Sequence, residues 1–199
     1  MRKTTAEKLK KANPAMLAIV RSYLDKYGIR VRKWMPYRGK RTSRDVVYEA
    51  FFDTHSVSIP VPVDRYSFYV CMHEIGHLVK GDRNYGYTQE YVAEQYAIAK
   101  LIKYGYYTKE IEESARRYVY EHLIQDLVLR NLKIQKVSKI VLDWTGRTIE
   151  QSRKRALRLA KLLYKYSDAV PESLQRLATR RLDVKVYKAI LQTSIKQLK

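Results

Sequence analysis

Apolar residues change their spacing twice along this chain, and those changes mark out its elements. Thr4 to Glu7 has the Thr-x-x-Glu spacing by which a cap side chain and a back-reaching carboxylate satisfy the first free backbone amides, which predicts a short helix there. Pro14, behind Asn13, suits the first position of a second helix. Ala15, Leu17, Ala18, Val20, Leu24 and Tyr27 give that helix an apolar side, and Gly28 ends it. The segments IRVRKWM, DVVYEAFF and VSIPVPV then gather β-branched and aromatic residues between polar turns, so they predict a small, mostly antiparallel three-stranded sheet. In the third of these, Pro60 and Pro62 are two apart, and both missing N–H groups fall on one side of the strand. That side is expected to be a sheet edge, or to border something other than a neighbouring strand.

From Asp64 onward the spacing is helical, over about 66–80, 89–104, 109–132, 135–145, 149–166 and 172–197. Gly81, Gly105 and Gly146 stand at expected helix ends, and Pro171 at a first turn. The pattern is that of an α+β core over residues 1–130 followed by an all-helical region over 131–199. No run approaches eighteen apolar residues and the N-terminus lacks an apolar leader, so the expectation is a soluble, cytoplasmic protein with no membrane span. Oligomeric state leaves no mark on the pattern.

Charge sharpens this division. The net charge is +20, but residues 1–44 carry +12, residues 45–126 carry −5 and residues 127–199 carry +13. Basic flanks around an acidic middle are the arrangement expected if the flanks meet a polyanion while the middle holds a cation. The seam is placed between about 126 and 135, where the balance changes sign. A lone cysteine, Cys71, excludes an internal disulfide framework and a cysteine-based metal cluster, so a metal site has to draw on histidines and carboxylates.

Such a set is present in CMHEIGHLVKG, residues 71–81. On a helix, His73 and His77 project from one face, close enough to share an ion, and Glu74 lies next to them. Zinc accepts two imidazole nitrogens and keeps a vacant position for water in catalytic sites, while a nearby carboxylate takes the proton of that water. This HExxH spacing is that of zincin hydrolases, with Zn²⁺ as cofactor and Glu74 as general base. A third ligand is expected from the following helix. Glu90 and Glu94, four apart on the side continued by Ala97 and Leu101, are the candidates: one faces the metal and the other orients a ligating histidine.

HEIGHLVKG followed by EQYAIAKLI resembles the pattern of the ImmA/IrrE metallopeptidases, zincins of mobile elements and stress responses, over about residues 56–104. The resemblance implies a zincin-like fold, hydrolysis of a polypeptide, often a transcriptional repressor, and Glu94 as third ligand. Ala99 and Ile102 fall on the family's small and aliphatic positions. Gln95 and Tyr96 depart from it, where alanine and asparagine are usual. A thermolysin-like arrangement would use Glu90 as ligand and Glu94 as its support.

Weaker candidates surround this set. His122 and Asp126 are four apart on a helix, as a supporting pair or, more simply, as core residues, and His55 falls in a turn facing solvent. Arg83, Tyr85 and Tyr87 lie between the two ligand-bearing helices, where a phenol or guanidinium could stabilise an oxyanion.

In the basic region, Thr148 to Gln151 repeats the capping spacing and opens a helix with Ile149, Ala156, Leu159, Ala160 and Leu163 on one side. Arg153, Lys154, Arg155, Arg158, Lys161 and Lys165 occupy its other faces, and Arg176, Arg180, Arg181, Lys185 and Lys188 follow. These residues are expected to contact nucleic acid through its phosphates, without strong sequence preference, and a helix-turn-helix over about 135–165 is compatible with the pattern. The expected partners are therefore a polypeptide substrate, such as a DNA-bound regulator, and nucleic acid. The alternative is a nucleic-acid-binding or virion-type structural protein whose zincin core is inactive.

Overall fold

The computed structural model describes residues 5–36, 48–81, 86–130, 132–165 and 184–199. They form a mixed α+β structure, mostly helical, with one small sheet. The chain divides into two compact units, residues 1–85 with 89–115 and residues 86–88 with 116–199. That division falls upstream of the boundary drawn at residue 130 from the charge balance.

The first unit opens with α1 (Thr5–Leu9), whose expected cap Thr4 lies outside the described residues. In α2 (Pro14–Lys26), the Asn13 side chain accepts from the amides of Ala15 and Met16 at 3.1 and 3.2 Å, and Pro14 occupies the first turn. Its buried side is Met16, Val20, Tyr23 and Leu24, whereas Ala15 and Ala18 are exposed. The helix is thus rotated from the expected face, because the larger Met16 and Tyr23 remove more apolar surface from water than the two alanines would.

Strands β1 (Arg30–Met35), β2 (Glu49–Phe51) and β3 (Ser56–Pro60) form a sheet in the order β1-β3-β2. The short turn after Phe51 folds β2 back on β3 in antiparallel pairing, and β1 joins the free side of β3 in parallel. The sheet is therefore mixed, not mostly antiparallel, and β3 is its central strand, not an edge. Its prolines fit there for a physical reason. The Val61 amide donates to Met35 O at 2.8 Å, so odd-numbered amides face β1, while Pro60 and Pro62 face the β2 side. Pairing with β2 ends at Glu49 opposite Ser58, before either proline needs a partner.

Helix α3 (Arg65–Lys80) starts in a reciprocal capping box: Asp64 accepts the Ser67 amide at 2.8 Å and Ser67 Oγ accepts the Asp64 amide at 2.9 Å. It packs on β3, β2 and α2, burying Phe68, Cys71, Met72 and Ile75 in a core with Val20, Leu24, Val57 and Ile59. Cys71 is fully buried, its thiol directed at Pro60 O 3.2 Å away, as a small core residue. Helix α4 (Tyr87–Lys103) adds Ala93, Ala97 and Leu101 to the buried set. Gly76 permits this packing: a Cβ there would lie 3.1 Å from Ala93 O and 3.1 Å from the Tyr96 ring.

Helix α5 (Lys109–Leu129) contributes Ile111 to the first unit and Val119, Leu123, Ile124, Leu127 and Val128 to the buried residues of the second. The second unit continues with a single turn of 3₁₀-helix (Ile134–Lys136), α6 (Lys139–Thr145), α7 (Ile149–Lys165) and α8 (Val184–Leu198), the last two packed together. Ser194 Oγ donates to Val128 O at 2.6 Å. Among the described residues, no helix is long and apolar enough to cross a membrane.

Candidate metal centre

The two histidines of α3 are one turn apart and both buried, and their rings meet edge to face with centroids 4.6 Å apart. Their Nε2 atoms are 3.0 Å from each other. Glu90, in the first turn of α4, completes a triangle: its Oε2 lies 3.3 Å from His73 Nε2 and 3.4 Å from His77 Nε2. These three residues can hold a metal ion, each offering one atom.

The spacing can be compared with what zinc requires. Ligand atoms about 2.0–2.1 Å from a shared tetrahedral ion stand about 3.3–3.4 Å from one another, which matches the two sides to Glu90, while the side between the histidines is shorter at 3.0 Å. Glu90 Oε2 is buried and makes no regular hydrogen bond, despite two nitrogens within 3.4 Å. Such close approach without donor geometry is what lone pairs converging on one point produce. His77 Nδ1 is likewise buried without a hydrogen bond. Two imidazoles and a carboxylate form a donor set suited to zinc.

Glu94 plays another part. Its Oε1 lies 3.1 Å from His73 Nδ1, the ring nitrogen turned away from the triangle, and its side chain is 1% exposed. The Tyr69 hydroxyl donates to Glu94, 2.7 Å from each carboxylate oxygen. Glu94 thus lies outside the triangle, whereas the ImmA/IrrE resemblance implies it as the third ligand. A four-residue step on α4 sets the two carboxylates on opposite sides of one imidazole, with Glu90 at Nε2 and Glu94 at Nδ1. Sequence reading missed Tyr69. Its signal is its position, four residues before His73 and therefore on the same face of α3.

Electrostatics follow from this crowding. Burial by itself would push the His73 imidazole down, but Glu94, Glu90 and Glu74 together carry it well above its ordinary value. Burial would raise Glu90, and the two imidazoles of His73 and His77 beside it outweigh this, so its carboxyl sits well below the usual carboxylate range. Glu74 is buried beside them and is raised, chiefly by desolvation, with Glu90 and Glu49 adding to the effect against the two imidazoles.

The other candidates fall elsewhere. The Tyr87 phenol accepts the Ser138 amide at 2.8 Å and the Tyr87 amide donates to Asp126 at 2.8 Å, so both residues serve the second unit's backbone. Helix α4 accordingly begins at Tyr87, two residues before the expected start at 89. His122 is half-buried and packs against Tyr118, with ring centroids 4.5 Å apart and the planes tilted by 55°. His55 is exposed at a φ of 45°, its ring 2.9 Å from Tyr27 O. Arg83 and Tyr85 lie outside the described residues.

The basic set divides as well. Lys154, Arg155, Arg158, Lys161 and Lys165 are exposed on α7, and Arg153 is half-buried. Arg153 and Lys154 pair with Glu150 at 3.0 and 3.6 Å, and Arg155 with Glu121. Arg158 and Lys161 have no acidic partner among the described residues. Arg176, Arg180 and Arg181 lie outside those residues.

No protein-family model, curated protein or solved structure matches this chain. The functional reading therefore stands on the motif and the geometry around it.

Proposed function

We propose that this chain is a zinc-dependent metallopeptidase whose basic region binds nucleic acid. The observation that carries the reading is the triangle of His73 Nε2, His77 Nε2 and Glu90 Oε2, with sides of 3.0, 3.3 and 3.4 Å. These three residues would hold Zn²⁺, which supplies a water of lowered pKa and polarises a substrate carbonyl. That ligand set follows the thermolysin-like arrangement, with Glu94 in the supporting place.

Each protein group then has a task. Glu74 accepts a proton from the attacking water and returns it to the leaving amine. Glu94 holds His73 by its Nδ1 edge so that Nε2 faces inward, and Tyr69 fixes Glu94 in turn. Burial of His73, His77, Glu74 and Glu94 limits competing solvent and strengthens these interactions. A polypeptide fits as substrate because amide hydrolysis needs this combination of base and electrophile, and the basic region would bring the peptidase to a DNA-bound regulator.

The test is cleavage of a mixed peptide pool by the zinc-loaded protein, read by mass spectrometry beside Glu74→Gln. The proposal expects cleavage by the wild type and none by the variant, with equal zinc in both. Zinc without cleavage in either protein would instead support an inactive core, and cleavage that survives Glu74→Gln would remove Glu74 from the mechanism.

A further inference from the structure

Within the second unit, α6 and α7 are joined by three residues, Gly146 to Thr148, and Gly146 takes the left-handed conformation at φ 66°, ψ 33°. Two helices linked by a three-residue turn containing a left-handed glycine have the connection of a helix-turn-helix. The second helix is firmly begun: the Thr148 amide donates to Gln151 Oε1 at 3.0 Å and the Gln151 amide to Thr148 Oγ1 at 3.1 Å. One side of α7 is dry and made of small residues, Ser152, Ala156 and Ala160, all fully buried.

The opposite side carries Gln151, Lys154, Arg158 and Lys161, spaced three and four apart and all exposed. No acidic residue interrupts that stripe. Lys154 reaches Glu150 on its border at 3.6 Å, while Arg158 and Lys161 have no acidic partner among the described residues. Just before the helix, Arg147 lies over the buried Tyr120 ring at 5.2 Å, and Arg155 lies over the same ring at 5.5 Å. Arg153 and Arg155 are engaged with Glu150 and Glu121 and stand off the stripe, so they brace the helix.

We infer that α6 and α7 are a helix-turn-helix that reads duplex DNA, with the Gln151, Lys154, Arg158 and Lys161 face of α7 entering the major groove. This rests on the proposed nucleic-acid role of the basic region and narrows it to one ligand and one element. The stripe from Gln151 to Lys161 spans about 15 Å at 1.5 Å per residue, a length that passes about four base pairs. The major groove of B-form DNA is about 12 Å wide and admits a helix, whereas the deep, narrow major groove of duplex RNA does not. An anionic membrane is the poorer fit, because Ser152, Ala156 and Ala160 are already packed and the exposed Ile149, Leu162 and Tyr164 point in separate directions around α7 instead of forming one apolar face. Near the start of the helix, where such motifs touch base edges, Gln151 keeps its Oε1 on the Thr148 amide and offers its NH2 as a donor to an acceptor on a base edge, while Arg158 and Lys161 further along fit phosphates.

The experiment is fluorescence anisotropy of the full chain with a mixed-sequence DNA duplex of about 20 base pairs and an RNA duplex of the same sequence, over about 50–200 mM salt. Tighter binding to DNA, by about tenfold or more, is expected. Arg158→Ala and Lys161→Ala should each reduce the slope of log affinity against log salt by about one. Lys109→Ala, on another helix, should leave it unchanged. Gln151→Ala should keep the slope but relax the preference among duplexes selected from a random pool. Equal affinity for both duplexes would overturn the helix-turn-helix reading and leave a general polyanion surface. Absence of binding to either duplex at low salt would overturn both readings. Thermal unfolding of each variant separates these outcomes from loss of fold.

Discussion

Glu90 and Glu94 are one helical turn apart on α4, yet their loss should be felt in opposite order by two assays. Glu94→Gln removes the charge facing His73 Nδ1 at 3.1 Å but leaves the ligand triangle intact. A group behind a ligating imidazole contributes about 10–100-fold in metal affinity, or about 1.4–2.7 kcal/mol. Glu90→Gln changes a ligand oxygen itself, so its loss of zinc affinity should exceed that range. In the metal-free protein the order reverses. Glu94 is 1% exposed and lies 3.1 Å from an imidazole whose pKa it raises, and breaking a buried pair costs up to about 3–5 kcal/mol. Glu90 is 16% exposed at its side chain, and water replaces part of what it loses. Zinc affinity should be read by competition with a chromophoric chelator, and metal-free stability by thermal unfolding in excess chelator. The reasoning fails if Glu94→Gln abolishes zinc binding while Glu90→Gln spares it, or if both assays rank the variants alike.

Three further outcomes are expected. Gly76→Ala would gain up to about 1 kcal/mol of helix propensity, but its Cβ would meet Ala93 O and Tyr96 at 3.1 Å, and such overpacking costs about 1–3 kcal/mol. Because α4 carries both glutamates, zinc affinity should fall with stability; a variant more stable than wild type with unchanged affinity would show that the contact is loose. Zinc loading should rise with pH. In the metal-free protein the raised His73 gives stability that is complete below about pH 6.5 and is lost as pH climbs through its raised value. Zinc takes only the deprotonated ring. The increase in unfolding temperature on adding zinc should therefore grow with pH, and calorimetry showing the same increase at every pH would contradict this. Asp64→Ala should cost about 0.5–2 kcal/mol by opening the capping box of α3, seen as a lower denaturant midpoint; no change would mean that Ser67 alone caps the helix.

Much of the first unit was legible because its signals are local. Asn13-Pro14 and the motif helix after Asp64 announce themselves within a few residues. What one-dimensional spacing does not contain is direction between elements. The parallel pairing of β1 with β3 depends on which side of β3 the β2 hairpin leaves free. The choice between Glu90 and Glu94 depends on how α4 crosses α3, and Gly76 helps set this through its close contact with Ala93. Tyr69 escaped notice because a tyrosine four residues before a histidine is ordinary until a buried carboxylate is found beside both. The thermolysin-like alternative named Glu90 from sequence, but only the positions of the ring nitrogens separate it from Glu94.

The most direct measurement is zinc content per chain, after dialysis against trace zinc, for wild type, His73→Ala, Glu90→Ala and Glu74→Gln. One zinc in wild type and Glu74→Gln, with little or none in the other two, is the predicted result. Equal zinc in all four proteins would contradict the metal centre described above.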